Sequence, residues 1–227
     1  MSAVSGLVLT ALGFAIVQGG IWLFHWLPAR RRHMAMRDAA ERIGLTFLGR
    51  RKLLPAHSDF PIREIDALWP SFITRLKNVA HGTSATGPVW LFDVQYSEDS
   101  EGGRGHVSLA AFEFAATALP RFSLRAEGRL EGCLSRLFNK AIEFPAHPEF
   151  ARRYVVEASD ETAVRSLFRA ELLDFWQSLK PEDRWCANGG GSWLVVYRRD
   201  AMIAPGELGD FLCSAETIAV AIRVAAR

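Results

Sequence analysis

Apolar residues first crowd together along this chain and then become periodic. Val4 to Leu27 is an uncharged, mostly apolar run of 24 residues. As a helix it reaches about 36 Å, enough to cross a hydrocarbon layer of about 30 Å with some tilt. Pro28 closes that helix. Over 30–43 the apolar positions Met36, Ala39, Ala40 and Ile43 share one helical face, and Gly44 supplies the C-terminal stop. The period then shortens to two. In Val89–Tyr96 the side chains of Trp90, Phe92, Val94 and Tyr96 fall on one side, with Asp93 and Gln95 on the other. His106–Phe114 is apolar on both faces, and Arg121–Arg125 alternates Phe122 and Leu124 with three polar residues. Leu45–Leu48, Phe72–Ala80 and Tyr154–Glu157 complete the first set of strands, with a turn at Gly82–Gly87.

The helical period returns towards the C-terminus. Ser159 or Asp160 caps a helix through Val164, Leu167 and Phe168. A second helix, Ala170–Leu179, turns Leu172, Leu173, Phe175 and Trp176 inward and ends before Pro181. Trp185–Ala187 and Ser192–Tyr197 form a hairpin around Asn188-Gly189-Gly190-Gly191. A last helix starts near Pro205, with Leu208, Phe211, Leu212, Ala215, Ile218, Ala219 and Ile222 on its apolar face. Pro55, Pro61 and Pro70 divide 49–74 into loops. Consecutive strands joined by short turns predict an α+β fold: a mainly antiparallel sheet with helices packed on one face, preceded by one transmembrane helix. The expected organisation is an anchor over 1–29, a basic juxtamembrane helix and connector over 30–53, and an α+β domain over 54–227.

Charge orients this arrangement. Residues 30–53 carry eight basic side chains against Asp38 and Glu41, a net +6, while 54–227 carry a net −4. No basic side chain precedes the apolar run, and Leu27-Pro28-Ala29-Arg30 is a poor cleavage site, so the run reads as an uncleaved anchor. The positive-inside rule places the N-terminus outside and the domain in the cytoplasm, as a single-pass protein of a bacterial inner membrane. Arg30, Arg31, Arg32 and Arg37 are candidates for contact with anionic lipid headgroups. Within the span, Ala11, Ala15 and Gly19 form a small-residue row suited to packing against another helix or a second copy. The acidic remainder argues against nucleic-acid binding. Cys133, Cys186 and Cys213 are widely spaced, as expected of three buried thiols in a reducing compartment.

Catalytic patterns are scarce. Gly102-Gly103-Arg104-Gly105 lacks the Gly-Lys-Ser/Thr of a phosphate loop and reads as a hairpin loop, and Asn188–Gly191 likewise reads as a turn. No cofactor motif or metal-ligand spacing is present. His147, with Glu149 close by, lies in a Pro-bounded loop and is the one candidate acid–base site. The chain is therefore expected to be a non-catalytic, membrane-tethered interaction domain, an accessory subunit of a larger membrane complex. The alternatives are an enzyme or ligand-binding domain using the His147 loop, and headgroup binding through the basic collar.

The stretch Asn139–Val156, with Phe144-Pro145-Ala146-His147-Pro148-Glu149-Phe150 at its centre, its continuation Ser159–Phe168 and the segment Leu119–Arg125 resemble a bacterial group of uncharacterised membrane-anchored proteins. In that group a His-Pro-Glu-Phe loop leads to a strand, an acidic cap, a short helix and a second helix opened by Thr-Pro. The present chain has Arg169-Ala170 where Thr-Pro is expected, which weakens the cap of the second helix. The resemblance implies an anchor followed by an α+β domain and carries no activity with it.

Overall fold

The computed structural model describes residues 28–49, 61–68, 72–97, 104–126 and 141–227. The apolar run 4–27, including Ala11, Ala15 and Gly19, lies outside the described residues. Among those described, no helix is long and apolar enough to cross a membrane.

The architecture is α+β, built on an eight-stranded antiparallel sheet. Helix α1 covers 28–42 and ends in Gly44, whose φ of +80° is the left-handed stop that glycine adopts without steric cost. The strands are β1 (Thr46–Gly49), β2 (Phe72–Ser84), β3 (Gly87–Ser97), β4 (Arg104–Glu113), β5 (Leu119–Ala126), β6 (Tyr154–Ala158), β7 (Trp185–Gly191) and β8 (Trp193–Arg198). They lie in the order β1-β2-β3-β4-β8-β7-β5-β6, so the last strand in sequence sits in the middle. Helices α2 (Ile62–Leu68), α3 (Pro148–Arg153), α4 (Glu161–Leu167), α5 (Ala170–Ser178) and α6 (Leu208–Ala225) complete the fold.

One face of the sheet carries α1, α4, α5 and α6. Trp185 stacks on Phe211 of α6 at 5.5 Å, and Phe122 meets Phe168 at the end of α4 edge-on at 5.3 Å. The opposite face is not left to solvent. α2 rests there: Arg121 donates to the Ala67 carbonyl, and Leu68 lies against Gly190. The expectation of helices on a single face is corrected accordingly. The three prolines of 49–74 hid this one short helix. Burial on both faces explains why every residue of β8 from Trp193 to Tyr197 is buried.

Two local readings change for a common reason. Asn188, Gly189 and Gly190 do not form a turn; they are paired strand residues, and the reversal falls at Gly191-Ser192. A Cβ on Gly189 would lie 2.3 Å from the Phe122 ring, and one on Gly190 would lie 2.8 Å from Leu68. These glycines admit large side chains on the two sheet faces rather than bend the chain. Gly105 behaves likewise: it pairs with Tyr96 inside β3–β4, and the Tyr96 ring occupies the space a Cβ would need. The Asp160 cap is as expected, with its carboxylate accepting from the Ala163 N–H at 3.0 Å. Arg169 makes no side-chain cap to α5.

Gly189→Ala should destabilise the domain by about 1–3 kcal/mol through overpacking against Phe122. A denaturant midpoint measurement checks this, and Phe122→Leu in the same chain should recover part of the loss.

Candidate functional site

The sheet face under α1 should be apolar, yet it contains a carboxylate. Asp93 is only 3 % exposed. Alternation in β3 sends it away from Trp90 and Phe92, onto the side that α1 covers. Such a group is stable only when its charge is opposed and its lone pairs are occupied. Four segments meet that demand. Arg32 of α1 places Nε 3.1 Å from Oδ2 and Nη2 3.1 Å from Oδ1, a bidentate pair. Asn78 of β2 donates through Nδ2 to Oδ2 at 2.7 Å, and Ser108 of β4 donates through Oγ to Oδ1 at 2.6 Å. Ser108 Oγ in turn accepts from the Ile203 N–H at 3.0 Å, tying in the segment after β8.

Asn78 reaches Asp93 because β2 carries a bulge. Lys77 pairs with Asp93 and Ala80 with Leu91, so two residues oppose one, and Asn78 adopts φ +52°. Asparagine tolerates this left-handed conformation better than most residues. In a regular strand Lys77 and Asn78 would point to opposite faces; here both line the same cleft. The hydrogen bonds also fix a tautomer. Asp93 can only accept, so the Asn78 amide presents Nδ2 to it and turns Oδ1 to His33. His33 Nδ1, 2.9 Å away, must therefore carry a proton. The His33 ring packs edge-on against Phe47 of β1 at 5.1 Å.

Above this network lies a cleft of about 230 Å³ between the first turn of α1 and β2–β4. Its walls include Ala29, Arg32, Lys77, His106 and Met202. The basic collar is thus divided. Arg30 and Arg31 are exposed on α1, and Arg37 is exposed beside Asp38, with Nη2 to Oδ1 at 3.0 Å. Arg32 is turned inward and is shared between the sheet and the cleft.

The His147 loop is built differently. Residues 142–147 form the expected loop, with a turn at Pro145-Ala146, and His147 stands at its end as the N-cap of α3. Its Nδ1 lies 3.5 Å from Asp174 of α5 and 3.5 Å from Gln177, both beyond ordinary hydrogen-bond length. Glu149 is not brought to His147; it pairs with Arg152 one turn on, in the open. A neighbouring cavity of about 390 Å³ is bounded by Ile142, Phe144, Pro148 and Val155, without His147 in its wall.

The thiols also separate. Cys186 is buried and Cys213 is exposed on α6, correcting the expectation of three buried thiols; Cys133 lies outside the described residues. Burial pushes the Cys186 thiol up to about 11 from 9.0, and it raises Tyr154 and Tyr197 above the usual 10.0.

The network of Arg32, Asn78, Asp93 and Ser108 escapes a reading of the sequence. Its signal was the lone carboxylate in the apolar strand Val89–Tyr96, and its partners lie 61 and 15 residues away.

No protein-family model matches the chain, and no curated protein matches its sequence. The fold is similar to the crystal structure of the mycobacterial trehalose monomycolate transport factor A, TtfA. The TM-score is 0.54 over 86% of this chain and 96% of that one, at 14% identity. At that identity the likeness is one of fold.

Two outcomes follow from the site. Arg32→Ala should cost about 3–5 kcal/mol because it leaves a buried carboxylate without its cation, whereas Arg31→Ala should stay within about 0.5 kcal/mol. Combining Arg32→Ala with Asp93→Asn should cost less than the two singles together, as a double-mutant cycle by urea unfolding will show. The second outcome concerns pH. Cys186, Tyr154 and Tyr197 are held neutral in the folded chain, so the folded state keeps protons that the unfolded chain loses above about pH 9. Stability should be level below that pH and fall towards pH 11, by about 2 kcal/mol from Cys186 alone. Cys186→Ala should flatten the curve by that amount.

Proposed function

We propose that this chain is a membrane-tethered, non-catalytic interaction protein, an accessory subunit of a larger assembly in a bacterial inner membrane. The observation that carries this reading is the docking of α1. This helix begins immediately after the apolar run 4–27, and the Arg32–Asp93 pair fastens it to the third strand of the sheet. A tether of flexible residues would let the domain tumble. A tether whose first turn is fixed to the core holds chosen faces of the domain at a set height and angle above the bilayer. That arrangement suits a protein that presents a surface to a neighbour within the membrane.

The shared fold with a protein described as a trehalose monomycolate transport factor is in keeping with a role beside a membrane transport machine. The acid–base alternative draws no support from the His147 region, where the imidazole and Glu149 are apart and Glu149 is exposed.

The test is purification of the tagged full chain from native membranes in mild detergent, followed by crosslinking and mass spectrometry. A membrane protein recovered in stoichiometric amount, and lost when Ala11, Ala15 and Gly19 are replaced by Leu, is the expected result. A monodisperse monomer with no recovered partner would sink the proposal.

A further inference from the structure

We propose that the outer face of α6 is an interface through which two copies of this chain pair, with their α6 helices antiparallel. This pairing requires no membrane anchor. α6 (Leu208–Ala225) buries Leu208, Phe211, Ala215, Ile218, Ala219 and Ile222 against the rest of the domain. The opposite stripe of the helix holds Asp210, Cys213, Thr217, Val220, Val224 and, just past its end, Arg227. These positions alternate in steps of three and four, the spacing of a coiled-coil seam.

Between its two ends the seam is uncharged. Cys213 is exposed, and Val224, at 63 %, is the most exposed of the large apolar side chains among the described residues. Other helices differ: α1 shows Arg31, Arg37 and Glu41 to solvent, and α5 shows Glu171 and Asp174. The two charges in the middle and last turns of α6 are turned aside. Glu216 accepts from the Ala85 N–H, and Arg223 donates to the Thr86 carbonyl at 3.2 Å, so both serve the β2–β3 turn. The Thr217 hydroxyl donates to the Cys213 carbonyl at 2.9 Å. Covering the middle of the seam therefore removes apolar surface from water without stranding a charge or the Thr217 hydroxyl.

The ends of the seam select the occupant. Asp210 stands at one end and Arg227 at the other, both exposed. A second α6 laid antiparallel sets Asp210 against Arg227 at each end, Cys213 against Val224, and Thr217 against Val220. One two-fold operation matches all six positions, as a self-complementary interface requires. A parallel pair would oppose Asp210 to Asp210 and Arg227 to Arg227. The seam is ~25 Å long, short beside the interfaces of permanent dimers, so a reversible, micromolar association is expected.

Cysteine crosslinking of the purified full chain in mild detergent, with copper phenanthroline as oxidant, tests the pairing. Val224→Cys puts a thiol opposite the native Cys213 of the second copy. It should give a disulfide-linked dimer that falls to background when Cys213→Ser is added. The unsubstituted chain should crosslink through Cys213 about ten-fold less, since its two Cys213 residues lie ~16 Å apart along an antiparallel seam, beyond disulfide reach. Ser178→Cys, at an exposed position of α5, should also stay at background. Asp210→Arg should weaken the reversible dimer about ten-fold in sedimentation analysis, and adding Arg227→Asp should restore it.

Equal crosslinking through Cys213 alone or from Ser178→Cys, or none from Val224→Cys, overturns the inference. So does an unchanged dimer in Asp210→Arg, or no recovery in the double variant. Replacing Ala11, Ala15 and Gly19 by Leu should leave the Val224→Cys dimer intact; its loss would trace the pairing to the apolar run 4–27 instead. A Val224→Cys adduct with a different polypeptide in native membranes, in place of the dimer, removes the second copy as the occupant.

Discussion

The buried carboxylate of Asp93 is the constraint around which this domain is arranged. An ionised group at 3 % exposure in a β-sheet would unfold the structure if left alone, so each of its lone pairs requires a donor with good geometry. Satisfying it dictates several otherwise unrelated features. α1 must cross the sheet where Arg32 can reach, β2 must bulge so that Asn78 turns inward, and the segment after β8 must close over Ser108. A hydrophobic residue at 93 would fill the same space with less demand on its neighbours. What it would not do is specify where α1 sits. An apolar face such as Met36, Ala39 and Ala40 can slide by a turn along an apolar sheet at small cost; a bidentate guanidinium cannot.

The two faces of the sheet divide the labour. The face bearing α1, α4, α5 and α6 contains the aromatic packing of Phe122, Phe144, Phe150 and Phe168, which holds the helices near β5 and β6. The opposite face takes α2 against Gly190 and keeps Cys186 and Tyr197 dry enough to stay protonated well into alkaline conditions. Because both faces are covered, the central strands read as continuous apolar runs rather than alternating ones.

Much of this was legible in the residues. The alternation of Asp93 and Gln95 with Phe92, Val94 and Tyr96, the helical period after Pro205 and the Asp160 cap are each set by neighbours in sequence, where local pattern decides the outcome. The losses share a different character. Asn188-Gly189-Gly190 has the composition of a turn, and only the placement of Phe122, from another strand, and Leu68, from a helix, explains why glycine is needed in a straight strand. α2 lies among prolines that usually mark loops. His147 opens a helix too short to show a period. The Asp93 network joins residues 15 and 61 positions apart, farther than any helical or strand period relates one residue to the next. Long-range side-chain geometry is what the linear pattern omits, and in this protein the site is made almost entirely of it.

The order of the strands bears on how the domain comes together. Among the described residues, β8 is the last strand to be synthesised, yet it lies between β4 and β7 and joins the β1–β4 half of the sheet to the β7–β5–β6 half. Until Trp193–Arg198 leaves the ribosome, the two halves have facing unpaired edges and no backbone bond between strands of one and strands of the other. The N-terminal meander can form early, since its hairpins are local, but it waits with an open edge at β4. Completion of the sheet is therefore a closing step, governed by the last thirty or so residues of the chain rather than by its first.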